Sequence, residues 1–187
     1  MTARFPVMLG DTLRPLNVII SDDTGPLDLS AYTVKILLKD KDNAVVLNDV
    51  TTGVTANPTQ AFTVDTSLDL ILKNNHGVKN GDRVILASTT TIPAGLAVAT
   101  RYYAIECTQD SFKVTTLPTG TAIDITSAGT GTHTFYVVGS VQMDFASTET
   151  DAVGPFKAWF RLFSGSEVDT FPKDSEGIPV DVKALGN

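Results

Sequence analysis

Apolar residues in this chain recur at every second position, and no stretch holds a helical period through three turns. Thr33-Val34-Lys35-Ile36-Leu37-Leu38-Lys39 sets Val34, Ile36 and Leu38 on one face. Ser140-Val141-Gln142-Met143-Asp144-Phe145 does the same with Val141, Met143 and Phe145. A period of two belongs to strands, because successive side chains leave a pleated backbone on opposite faces. Gly, Asn, Asp and Pro clusters punctuate these runs at short intervals, so the expected fold class is all-β.

Single segments refine the reading. Phe156-Lys157-Ala158-Trp159-Phe160-Arg161-Leu162-Phe163 places Phe156, Ala158, Phe160 and Leu162 on one face and Trp159 and Phe163 on the other. A strand apolar on both faces suits the centre of a sheet. Asp40-Lys41-Asp42-Asn43 joins Thr33–Lys39 to Ala44–Leu47 as a hairpin, and Ser164-Gly165-Ser166-Glu167 is a second tight turn. Leu27–Tyr32 is expected to bend into a short helical turn capped by Ser30. Ile178-Pro179-Val180-Asp181-Val182 reads as a closing strand, placed at an edge because proline cannot donate to a ladder.

The middle of the chain has a different texture. Short strands from Phe62 to Val138 alternate with turns at Asn74–Gly77, Asn80–Asp82, Pro93–Leu96 and Gly129–His133, which suggests a compact barrel or sandwich. Charge divides along the same line. Residues 61–139 hold five basic and six acidic side chains, whereas the flanks hold nine and fifteen. The expected organisation is a discontinuous β-sandwich, immunoglobulin-like, from residues 1–56 plus 139–187. A small β domain at 57–138 is inserted in it.

The bulk properties narrow the function classes. Net charge is −7 with no Lys/Arg cluster in sequence, which opposes nucleic-acid binding. No apolar run approaches the ~20 residues of a membrane span, so no membrane insertion is expected. Met1–Pro6 lacks a secretory h-region, so synthesis in a cytoplasm is expected. The single cysteine, Cys107, excludes an intrachain disulfide and reads as a small buried hydrophobe.

Catalytic and metal constellations are weak. His76 and His133 are the only histidines, 57 positions apart. Catalytic zinc needs three protein ligands and an open position. Each is read instead as a turn histidine bonding its own loop, with alanine substitution expected to leave folding unchanged. Asp22, Asp23 and Asp28, and separately Asp169, Asp174 and Glu176, are acidic groups without EF-hand spacing. Gly129-Thr130-Gly131-Thr132 precedes a strand and so lacks a helix N-terminus for phosphate. No catalytic residue, metal site or cofactor is assigned. Tyr102 and Tyr103 face opposite sides of one strand, so one of them is a candidate exposed aromatic.

The flanks resemble the N-terminal domain family of phage baseplate upper proteins, over about residues 5–52 and 139–187. The resemblance rests on Gly10-Asp11-Thr12, Asp23-Thr24-Gly25-Pro26-Leu27-Asp28-Leu29 and Val34–Lys39. It continues through Gly139–Phe145, Gly154-Pro155-Phe156-Lys157-Ala158-Trp159-Phe160 and Thr170-Phe171-Pro172. The segment at about 57–138 is similar to a β module of phage virion and tail-fibre proteins. Here the residues are Asn75–Val84, Pro93–Leu96, Thr100–Ile105, Ser111–Val114 and Gly129–His133.

These resemblances imply a non-enzymatic structural protein of a tailed-phage virion, made in the bacterial cytoplasm, in the tail, baseplate or neck. The implied partners are other virion proteins, with a homo-oligomer in a symmetric ring. A capsid decoration protein and a module binding a host surface glycan are the alternatives. Asp22, Asp23, Asp169, Asp174 and Glu176 are the candidate docking residues, with the sandwich anchoring and the insert projecting outward.

Overall fold

A computed structural model describes residues 5–8, 15–40, 42–145, 154–173 and 178–183. The protein is all-β. The first strands are β1 (Phe5–Met8), β2 (Leu16–Ile19), β3 (Ser21–Asp22), β4 (Gly25–Pro26), β5 (Thr33–Lys39), β6 (Val45–Val50) and β7 (Val54–Ala56). Then come β8 (Gln60–Asp65), β9 (Leu70–Leu72), β10 (Arg83–Ser88), β11 (Arg101–Ile105), β12 (Ser111–Thr115) and β13 (His133–Val137). The last are β14 (Ser140–Met143), β15 (Gly154–Ser164), β16 (Glu167–Phe171) and β17 (Ile178–Lys183). The chain forms two compact units, Met1–Ala56 with Gly139–Asn187, and Asn57–Val138.

The discontinuous unit is a sandwich. One sheet runs β1-β17-β15-β5-β6 with β16 also on β15, and the other runs β2-β14-β7. Val34, Ile36 and Leu38 of β5 and Phe156, Ala158, Phe160 and Leu162 of β15 meet Leu16, Val141 and Met143 in one core. The alternation read from the sequence is thus the alternation of burial. A large apolar side chain buried this way contributes about 1.5–3 kcal/mol.

β15 is the organising strand. Along one edge it pairs with β5 from Lys157 to Phe163. Along the other, Gly154–Ala158 pair with β17 and Phe160–Ser164 with β16. Trp159 stands where the partner changes.

Two local expectations are corrected. The short turn at Leu29–Ala31 is 3₁₀, and its cap is Asp28, whose carboxylate accepts the Ser30 N–H. Asp28 precedes the turn with extended backbone, the geometry a cap needs. β17 is not an edge strand, since β1 lies parallel on one side and β15 antiparallel on the other. Among the described residues pairing with β1 begins at Val180, one position past Pro179.

Gly139 needs to be glycine. Its φ is +79°, and a Cβ there would lie 2.6 Å from the Ile20 carbonyl oxygen. That close approach lets the Gly139 carbonyl accept the Ile20 N–H at 2.8 Å, starting the β14–β2 ladder.

The Asn57–Val138 unit is a closed six-stranded barrel, β10-β11-β12-β9-β8-β13. Closure leaves no exposed sheet edge. Phe62, Ile71, Val84, Leu86, Tyr102, Ala104, Phe112, Val114 and Phe135 fill the interior. The rings of Phe112 and Phe135 meet edge to face, 5.2 Å apart.

Candidate interaction surfaces

The residues singled out in the sequence divide into structural pieces and surface groups. His76 is buried. Its Nδ1 accepts the Val78 N–H at 2.9 Å, and its Nε2 lies 3.2 Å from the Ser111 carbonyl. A backbone N–H only donates, so Nδ1 is unprotonated and Nε2–H donates to Ser111. His133 is buried too, with Nε2 3.0 Å from the Ala128 carbonyl and Nδ1 3.0 Å from Ser88 Oγ. Both rings hold loops to the barrel. Each ring is buried and bonds loop groups, which weighs against the expectation that they are expendable for folding.

Among the described residues no three His, Cys, Asp or Glu side chains group to hold a metal. Cys107 is half-buried rather than buried. Glu106 turns out of the strand with φ +50°, ending β11 before the alternation reaches Cys107. Burial, with a smaller effect of the Asp82 charge, pushes its thiol up to about 11. That suppresses the thiolate, the reactive form.

Tyr102 is not an exposed aromatic. It lies in the barrel interior, and its hydroxyl accepts the Ala97 N–H at 2.8 Å, pinning the β10–β11 loop. Tyr103 faces the outer wall, half-buried, with the Arg83 guanidinium 5.8 Å from its ring centre.

The strand pairings put three loops at one end of the barrel, opposite the end where its chain enters and leaves. They are 66–69, 89–100 and 116–132. Thr91 and Thr130 exchange backbone hydrogen bonds, Ala94 and Thr126–Ser127 join the second loop to the third, and Asp69 Oδ1 accepts the Ile125 N–H at 2.8 Å. Gly95, φ +99°, passes so close to the Asp124 carbonyl that no side chain fits. On this tied platform stand Leu68, Val98 and Leu117, each more than half exposed. They are all of the unit's exposed large hydrophobic side chains, and residues 89–100 carry no charge.

In the sandwich, Asp22 and Asp23 form the exposed tip of the β3–β4 hairpin. The Thr24 hydroxyl and N–H bond the Asp22 carboxylate at 2.6 and 2.7 Å and hold it below its ordinary range. Asp169 lies exposed on β16, with Lys173 Nζ 3.4 Å away. Asp174 and Glu176 lie outside the described residues. The Lys173 charge also acts on Asp22, so Asp22 and Asp169, the described acidic candidates of these two segments, share one cation.

A basic face does assemble, on the side of the six-stranded sheet away from its core. Lys157 stands opposite Lys39, and Arg161 opposite Lys35. Lys35 Nζ lies 4.3 Å from the Phe163 ring centre, Lys39 Nζ 5.5 Å from that of Trp159, and Arg161 Cζ 5.4 Å from that of Phe163. Asp49 reaches Arg161 over the intervening strand. Sequence reading missed this face because its cations are dispersed; the signal was that all four alternate with core positions in two strands already paired by their apolar pattern.

No family model, curated protein or solved structure shows a significant match to this chain.

Proposed function

We propose that the protein is a non-enzymatic structural component of a tailed-phage virion, an adaptor of the tail, baseplate or neck. In this reading the sandwich anchors it to the particle and the inserted barrel projects outward. The observation that carries it is the barrel's polarity. Its exposed aliphatic side chains, Leu68, Val98 and Leu117, all sit on cross-tied loops at the end remote from its attachment. A rigid, weakly charged apolar tip suits contact with another protein, since interface centres are poor in charge.

Glycan recognition is the competing reading, and it needs an exposed aromatic platform. Tyr102 is buried and Tyr103 is half-covered, which favours the adaptor.

Mass spectrometry and immunogold imaging of purified particles from a producing culture test the proposal. The protein should be found at fixed copy number on the tail or neck. Its absence from particles, or a positive glycan array with the purified protein, would overturn the adaptor role.

A further inference from the structure

The basic face raises an energetic question. Like charges placed directly opposite each other in a sheet are destabilising, yet Lys39–Lys157 and Lys35–Arg161 are both such pairs. Asp49 pairs with Arg161. Lys35 and Lys39 rest on aromatic rings and make no ion pair among the described residues. Trp159 is buried and Phe163 half-buried against these side chains, so what the face offers a partner is its cations. Its chemistry calls for an anionic partner.

The chain itself supplies one. Four of the nine basic residues in the sandwich sequence lie on this face, with Asp49 of its fifteen acidic ones, so the rest of that unit is strongly acidic. The Asp22–Asp23 tip is its clearest projecting anion. Both residues are exposed, Asp22 is ionised, and Asp23 makes no hydrogen bond among the described residues.

We propose that the sheet face carrying Lys35, Lys39, Lys157 and Arg161 receives the Asp22–Asp23 hairpin of a second copy of this chain. The contact joins two different surfaces, so copies associate head to tail and close into a ring or extend as a filament. Charge complementarity of this kind fixes orientation and register. The inference deepens the oligomeric part of the function proposed above. Its test uses purified protein alone, so it can fail while the virion role stands.

Sedimentation velocity of the full chain supplies the test. The wild type should associate at low salt, and its association constant should fall by roughly tenfold or more as the ionic strength rises from about 0.01 to about 0.5 M. K35E/K39E and D22K/D23K should each be monomeric. Mixing the two variants, or combining all four substitutions, should restore association. The fold should tolerate K35E/K39E, which sets carboxylates opposite Arg161 and Lys157; if it does not, K35Q/K39Q gives the same reading. A monomeric wild type at low salt, or association that neither variant alters, would overturn the proposal. So would a monomer that instead binds duplex DNA through this face.

Discussion

Arg161 Nη1 and Asp49 Oδ2 meet at 2.5 Å although 112 positions separate them in the chain, one on β15 and the other on β6. The second oxygen, Asp49 Oδ1, is buried with no hydrogen-bond partner among the described residues. The pair therefore rests on a single contact, and both side chains are mostly shielded from water. Arg161→Met should destabilise the sandwich by about 1–3 kcal/mol by leaving a half-buried carboxylate uncompensated. Adding Asp49→Asn should recover part of that loss. Urea unfolding of the two single variants and the double variant measures the coupling.

Phe160 is fully buried in the sandwich core, whereas Phe163, on the opposite face of the same strand, lies half-buried beside Lys35 and Arg161. Phe160→Ala should cost about 3–5 kcal/mol. Phe163→Ala should cost less, because its ring keeps contact with water. Equal losses in chemical denaturation would show that the second face is as closed as the first.

Residues 57–138 should be removable. Ala56 of β7 pairs with Val141 of β14, so the chain leaves and rejoins the sandwich on neighbouring strands. A short Gly-Ser bridge from Ala56 to Gly139 then closes a loop at modest entropic cost. The remaining sandwich should unfold cooperatively, and residues 57–138 alone should fold as the closed barrel. Loss of near-UV circular dichroism in either fragment would count against independent units.

His76→Ala should destabilise the barrel by about 2–4 kcal/mol. It strands the Val78 N–H, removes one of the donors to the Ser111 carbonyl, and takes away a ring packed 5.0 Å from Phe112. His76→Asn, which keeps an acceptor near the Nδ1 position, should recover part of the loss. Thermal unfolding of the two variants, with no metal added, checks this.

Cys107 should label slowly. With its thiol raised to about 11, only ~0.1% is thiolate at pH 8, against roughly a quarter for an ordinary cysteine. Iodoacetamide labelling of the native protein should accelerate as pH rises toward 11. Asp82→Asn should speed it at a given pH by removing a charge that disfavours the thiolate. A rate already at its plateau at pH 8 would contradict the assignment.

Which segments are strands and which of their side chains face inward can be read locally along the chain. Val34, Ile36 and Leu38, or Phe156 to Leu162, carry that information locally, because the two-residue period is a property of the backbone alone. The sequence also marked β15 as central, since Trp159 and Phe163 make its second face apolar too. Which strands pair is fixed by contacts between distant segments. Closure of the barrel depends on β10 meeting both β11 and β13. Pro179, a local sign of an edge, is compatible with an inner strand because among the described residues the β1 ladder starts at Val180. The burial of His76 and Tyr102 likewise follows from partners far along the chain. The basic face is the plainest case: Lys35 and Lys39 meet Lys157 and Arg161 only through the β5–β15 register. Register is set by long-range contacts, so no pattern within either strand specifies the surface that the two strands make together.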